Sequence, residues 1–194
     1  MEIRKAVLVD LDGIARLYDA ACDHLEAHEN YPGWAKGVYP TRADVETGLR
    51  ENALYAALVG ERIVGSFLLR HRPETGYENV RWLTDDDYDR IYVVYTLVVH
   101  PDFLHRGIGT EMLRYIEALA AREHCSSIRL DVTQGNKPAA RLYRKNGFQR
   151  VGTVSLGYEA YGLPWFDLYE KLLPKSGADG IQDREEKENV HGIQ

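Results

Sequence analysis

The chain reads as a mixed α/β domain built on a mostly antiparallel sheet, and three observations carry that expectation. Ile91–Val99 is a nine-residue run that is apolar on both faces, as a central buried strand requires. A glycine turn, His105-Arg-Gly-Ile-Gly-Thr110, follows it and opens a helix. A second strand and a second helix come next, and short alternating strands flank the whole at both ends.

Taken in order, Ile3–Val9 is expected to be a strand. Asp10 is placed to cap a helix whose Ile14, Leu17, Tyr18, Ala21 and Leu25 recur at helical spacing. Tyr31–Pro40 forms an aromatic loop, and Thr41-Arg-Ala-Asp44 resembles a capping box that starts a short helix ending near Glu51. Leu54–Val59 and Arg62–Leu69 pair as a hairpin around Gly60-Glu61. His71–Arg90 is polar and contains Asp85, Asp86 and Asp87, which predicts a loop. Pro101 ends the long strand by removing a donor. Helices are expected over Gly107–His124 and Asn136–Asn146, with a strand at Ile128–Thr133 between them. Phe148–Ser155 and Trp165–Leu173 form a closing strand pair. From Pro174 the chain is polar and without periodicity, so one domain over 1–173 and a mobile tail over 174–194 are expected.

Composition narrows the function classes. At 194 residues and a net charge of −6 the chain can bury a proper core, and it shows no basic stripe to track a nucleic acid. Cys22 and Cys125 make neither a metal nor a redox spacing, which fits thiols in a reducing compartment. The opening residues lead straight into strand-like sequence and no run approaches a membrane span, so the expectation is a soluble cytoplasmic protein without a metal.

The glycine turn would present backbone N–H groups and a helix's positive end to an anion. It is not a dinucleotide fingerprint, because Met112 occupies the third glycine position, and no glycine-lysine-serine/threonine follows it as a P-loop needs. Tyr143, on the helix downstream, is a candidate proton donor. Phosphate grip and phenol together suggest an enzyme that holds a phosphate-bearing acyl carrier and works beside it.

That combined pattern resembles the GNAT superfamily of acetyl-CoA-dependent N-acetyltransferases. Of the family's Arg/Gln-x-x-Gly-x-Gly/Ala motif, Gly107 and Gly109 match and Leu104 replaces the leading Arg/Gln. The second motif is met at every position by Asn136, Ala139, Leu142, Tyr143, Lys145, Gly147 and Phe148. The resemblance covers about residues 1–173. It implies a pantetheine arm paired with the main chain of Leu97, Val98 and Val99, and a pyrophosphate on the amides of His105, Arg106, Gly107, Ile108, Gly109 and Thr110. Asn136 would reach the arm while also capping its helix. Tyr143, two turns and roughly 10 Å further on, would protonate the departing thiolate.

Asp131 is the first choice of general base. It lies on the polar face of its strand with Arg129 and Thr133, opposite Ile128, Leu130 and Val132, and such a face on an interior strand suggests an open cleft. Glu26 and Tyr95 are fallbacks. Trp34, Tyr39, Tyr158 and Tyr161 would flank the acceptor, with Glu26 as a further contact, and Asp85–Asp87 could attract a cationic amine. The expected reaction is direct attack of a primary amine on acetyl-CoA in a ternary complex, the oxyanion held by a backbone N–H near Val98. A protein N-terminus or lysine as acceptor, a noncatalytic acyl-CoA sensor, and a homodimer all stay open.

Overall fold

A computed structural model of the chain describes residues 1–174. The tail expected from 174 onward therefore lies, but for Pro174, outside the described residues. The sheet has seven strands: β1 (Glu2–Lys5), β2 (Leu54–Val59), β3 (Arg62–Arg70), β4 (Ile91–Val99), β5 (Ser127–Thr133), β6 (Gln149–Val154) and β7 (Phe166–Leu172). Their spatial order is β1-β2-β3-β4-β5-β7-β6. Every neighbouring pair is antiparallel except β4 and β5. The expected mixed, mostly antiparallel sheet is what forms.

Helices cover both faces. On one, α3 (Ile108–Arg122) packs over the central strands β3–β5 and α4 (Lys137–Lys145) over the β7–β6 end of the sheet. Met112, Leu113 and Ile116 of α3 are fully buried there, each contributing about 1.5–3 kcal/mol by removal from water. On the other, α1 (Leu11–Glu26) and α2 (Arg42–Arg50) cover β2 and β3 through Ile14, Leu17, Tyr18, Ala21 and Val45. The capping box holds: the Asp44 carboxylate accepts from both the N–H and the hydroxyl of Thr41 at 2.7 Å.

Two expectations change. The first strand stops at Lys5, and Leu8–Asp10 is a 3-10 turn that leaves Val7, Leu8 and Val9 on the surface. Asp10 causes this, accepting from the Val7 N–H at 2.8 Å and from Arg4 at 2.6 Å, so its carboxylate closes the turn rather than capping α1. The second change is in 71–90, where the polar run folds as packed structure. Two 3-10 turns, Tyr77–Asn79 and Tyr88–Arg90, sit in it, and Tyr77 with Trp82 packs over Val93, Phe166 and Leu168.

Candidate active site

The site begins where β4 and β5 part. Their parallel register runs only from Ile91↔Ser127 to Val94↔Leu130. Beyond it β4 continues alone for five residues on its β5 side, leaving main-chain groups there without a strand partner. A bulge adds to the opening: Ser66 faces Val98 while Leu68 faces Tyr95, and Thr96 between them has φ +47°. The gap widens into a cavity of about 620 Å³ that passes through the sheet. Leu97, Val98, Val99, Asp131, Asn136 and Tyr143 all line it.

Pro101 and Leu104 line this cavity and lead into the turn 104–110, whose residues His105–Thr110 lie outside the lining. His105 and Gly107 both adopt left-handed backbone, φ +61° and +82°. Among the described residues no N–H from His105 to Thr110 donates to a backbone carbonyl, whereas the next, Glu111 N–H, closes the first helical turn on Gly107. The turn and the N-terminus of a fifteen-residue helix therefore offer main-chain N–H groups to an anion. The glycines play different parts. A Cβ on Gly107 would meet nothing, so Gly107 serves the turn's φ; a Cβ on Gly109 would come within 3.0 Å of Leu142, so Gly109 lets α3 approach α4. The Arg106 guanidinium stacks 5.0 Å from the Phe103 ring at the rim. Leu104, standing where a longer polar side chain was expected, is part of the cavity wall. Such a cradle fits a diphosphate.

Asp131 and Tyr143 reach the cavity from opposite faces of the sheet, which only the gap between β4 and β5 permits. Tyr143 packs its ring against Phe148 and Tyr169 at 5.8 and 6.3 Å and is buried. Its hydroxyl has no hydrogen-bond partner among the described residues, and burial, with Asp131 nearby, raises its pKa. Asp131 is pushed up to about 6 by burial, partly offset by a hydrogen bond from the Tyr77 hydroxyl at 2.8 Å. Asn136 Oδ1 accepts from the Ala139 N–H at 3.1 Å, so the capping role is filled and its amide N–H2 remains free to face the cavity.

The acceptor side is roofed by the loop between α1 and α2. The Tyr39 hydroxyl bonds to Thr96 Oγ1, and Thr133 donates to the Pro32 carbonyl at 3.2 Å, tying the loop across both splayed strands. Burial lifts Tyr39 to about 12. Trp34 packs edge-on against Tyr39 at 5.9 Å, and Tyr158 and Tyr161 complete the wall from the β6–β7 connection. Tyr95 also lines the cavity, but its hydroxyl is spent on the Arg72 carbonyl at 2.6 Å. Glu26 does not join them; it is exposed at the end of α1, outside the lining. Asp85, Asp86 and Asp87 lie at the entry to β4, away from its splayed end, and do not line the cavity either.

The expected open polar face on β5 is half closed. Arg129 is buried with Glu170, Nε to Oε1 at 2.9 Å, beneath Trp82; only the Asp131 end opens. Sequence reasoning missed Tyr77 and Glu74, the latter lining the cavity near Asp131, because both sit in a stretch without periodicity. It also missed the left-handed His105, for which the sequence carries no signal.

Known acetyltransferases share this chain's sequence pattern and fold. The profile of the acetyltransferase (GNAT) family matches residues 15–148. A thialysine N-epsilon-acetyltransferase of Mus musculus is 30% identical over 120 residues, covering 62% of this chain and 68% of that protein. An N-alpha-acetyltransferase of Saccharolobus solfataricus is 28% identical over 161 residues, 82% of this chain and 86% of that protein. The chain spans only 37% of another curated relative, UPF0157 protein YqkA of Bacillus subtilis, at 25% identity. Among solved structures, a GNAT-family acetyltransferase of Streptococcus agalactiae superposes with a TM-score of 0.74 at 20% identity, over 90% of this chain and 96% of that one. With the family profile spanning both the cradle and the helix that bears Tyr143, the chain belongs to the GNAT family of acetyltransferases.

Proposed function

We propose that the chain transfers an acetyl group from acetyl-CoA to a small primary amine, with Asp131 as base and Tyr143 as acid. The observation that carries this reading is one cavity shared by an unpartnered phenol and a buried carboxylate, with the wall residue Leu104 leading directly into the glycine turn. Bound acetyl-CoA supplies an electrophilic thioester carbonyl and a thiolate leaving group. The amides of 105–110 would hold its diphosphate, and the free edge of Leu97–Val99 would pair with its arm. A bulge N–H near Val98 would face the carbonyl oxygen as charge grows on it.

Asp131, its pKa raised to about 6 by burial, is ionised at neutral pH yet more basic than an ordinary carboxylate. It takes a proton from the incoming ammonium. Tyr143 donates to sulfur as the carbon–sulfur bond breaks. The nitrogen loses two protons in all: one restores the phenol, and the other leaves through Asp131 to water. The loop tied over the splayed strands by Tyr39 and Thr133 favours a small acceptor over the terminus of a folded protein. The amine substrate named for the murine relative points the same way.

Calorimetry with CoA and acetyl-CoA, followed by thiol release across polyamines, amino acids, aminoglycosides and peptides, tests the proposal. Amine-dependent release at small acceptors supports it. Binding of neither cofactor form overturns it, and binding with no release from any acceptor leaves an acyl-CoA-binding protein instead.

A further inference from the structure

Among the described residues Asp131 has one side-chain hydrogen-bond partner, and that partner is itself locked. The Tyr77 hydroxyl donates to Asp131 Oδ2 at 2.8 Å, and the tyrosine is 1% exposed. Its backbone carbonyl accepts from Trp82 Nε1 at 2.8 Å, and the two rings lie 5.1 Å apart. The Trp82 ring in turn sits 4.2 Å from the Arg129 guanidinium, which is bound by Glu170 and by the Thr84 carbonyl at 2.6 Å. Glu170 also accepts from the Leu83 N–H. A chain of contacts thus runs from a dry ion pair through Trp82 to a phenol aimed at one carboxylate oxygen.

We propose that Tyr77 is a positioning residue for acetyl transfer: its hydroxyl, fixed by Trp82 and the Arg129–Glu170 pair behind it, holds the Asp131 carboxylate ionised and turned toward the acceptor amine. The proposal rests on the reading of Asp131 as base. Among the described residues no other group donates a hydrogen bond to Asp131. The groups facing it are Glu74 from the same segment, Tyr39 from the roof, Tyr95 from β4, Tyr143 from α4 and Tyr158 from the β6–β7 connection. Glu74 opposes ionisation, and the basic Arg70 of the same cavity is engaged by Glu51 at 2.7 Å. A carboxylate with a single neutral donor gains both orientation and charge from it.

Tyr77→Phe keeps the ring and removes the hydroxyl. The expected result is about a tenfold fall in kcat with the KM for acetyl-CoA unchanged. The acidic limb of kcat should move to higher pH, and the Asp131 carboxyl carbon, followed by NMR, should titrate at higher pH in step with it. In an Asp131→Asn background the same substitution should change kcat no further. Trp82→Phe, which loosens the lock and leaves the hydroxyl, should give a smaller shift in the same direction, and it serves if Tyr77→Phe fails to fold. An unmoved Asp131 titration and an unmoved acidic limb, even with lower thermal stability, overturn the proposal and reduce Tyr77 to packing. If Asp131→Asn itself keeps the acidic limb, the base assignment falls and this proposal falls with it.

Discussion

Arg129 and Asp131 stand two residues apart on the same face of β5, yet their surroundings are opposite. Arg129 meets a carboxylate, a carbonyl and two aromatic rings, and is buried. Asp131 meets one phenol, a second acid and a cavity. The difference arises because the segment 80–90 closes over the first position while β4 diverges from β5 at the second. A strand can therefore carry a sealed charge and a working charge side by side, provided the sheet splits between them. The sealed pair costs desolvation that its geometry must repay; the open one keeps a raised pKa, which is what proton transfer needs.

Breaking the sealed side should have the largest effect. Arg129→Ala leaves Glu170 buried and unpaired, and a loss of about 3–5 kcal/mol is expected in chemical denaturation. Activity should fall as well, since the segment that carries Tyr77 loses its anchor.

On the open side, Tyr143→Phe removes a hydroxyl without partners and keeps its ring contacts. The expected outcome is a drop of about a hundredfold in kcat. Stability and CoA affinity should stay near those of the parent in calorimetry. A fall in stability without a fall in kcat would mean that the tyrosine is core alone.

Asp131→Asn probes the energetic side of the same contrast. Burial raises the Asp131 pKa in the fold above its unfolded value, so the carboxyl favours folding at low pH, where it is neutral in both states. That contribution is fully present below about 3.8, the unfolded value, and is lost as pH rises through about 6. At pH 7 the charged form is a burden, and the Asn variant should be more stable there by about 1 kcal/mol after allowance for screening by the cavity's water. The advantage should vanish near pH 4, which thermal scans at both pH values would check.

Asp86→Asn should do least. Asp86 pairs loosely with Arg90 at 3.8 Å and lies off the cavity, so stability should move by less than about 0.5 kcal/mol and the amine KM not at all. A raised amine KM would show that the acids at 85–87 steer the acceptor after all.

Much of this was legible in the sequence because it is local. The both-faces apolar pattern of Ile91–Val99 placed the central strand, the glycines placed the turn, and Asn136 to Phe148 placed the helix that carries Tyr143. What stayed hidden depends on partners distant in the chain. Nothing near Arg129 or Asp131 distinguishes them; Glu170, 41 residues from Arg129, and Trp82 decide which one is sealed. Tyr77 and Trp82 lie in a run whose Asp85–Asp87 look like a solvated loop, and single aromatics carry no period. Asp10 looks like a helix cap, but Arg4 captures it. At His105, left-handed backbone is imposed by the turn rather than announced by a glycine.

The most direct test is the pH dependence of amine-driven CoA release in the parent protein and in Asp131→Asn. The parent should lose activity on acidification with a midpoint near 6, where burial sets the Asp131 carboxyl, and the variant should be slow with that limb gone. The same acidic limb in both proteins would contradict a working carboxylate at the split between β4 and β5.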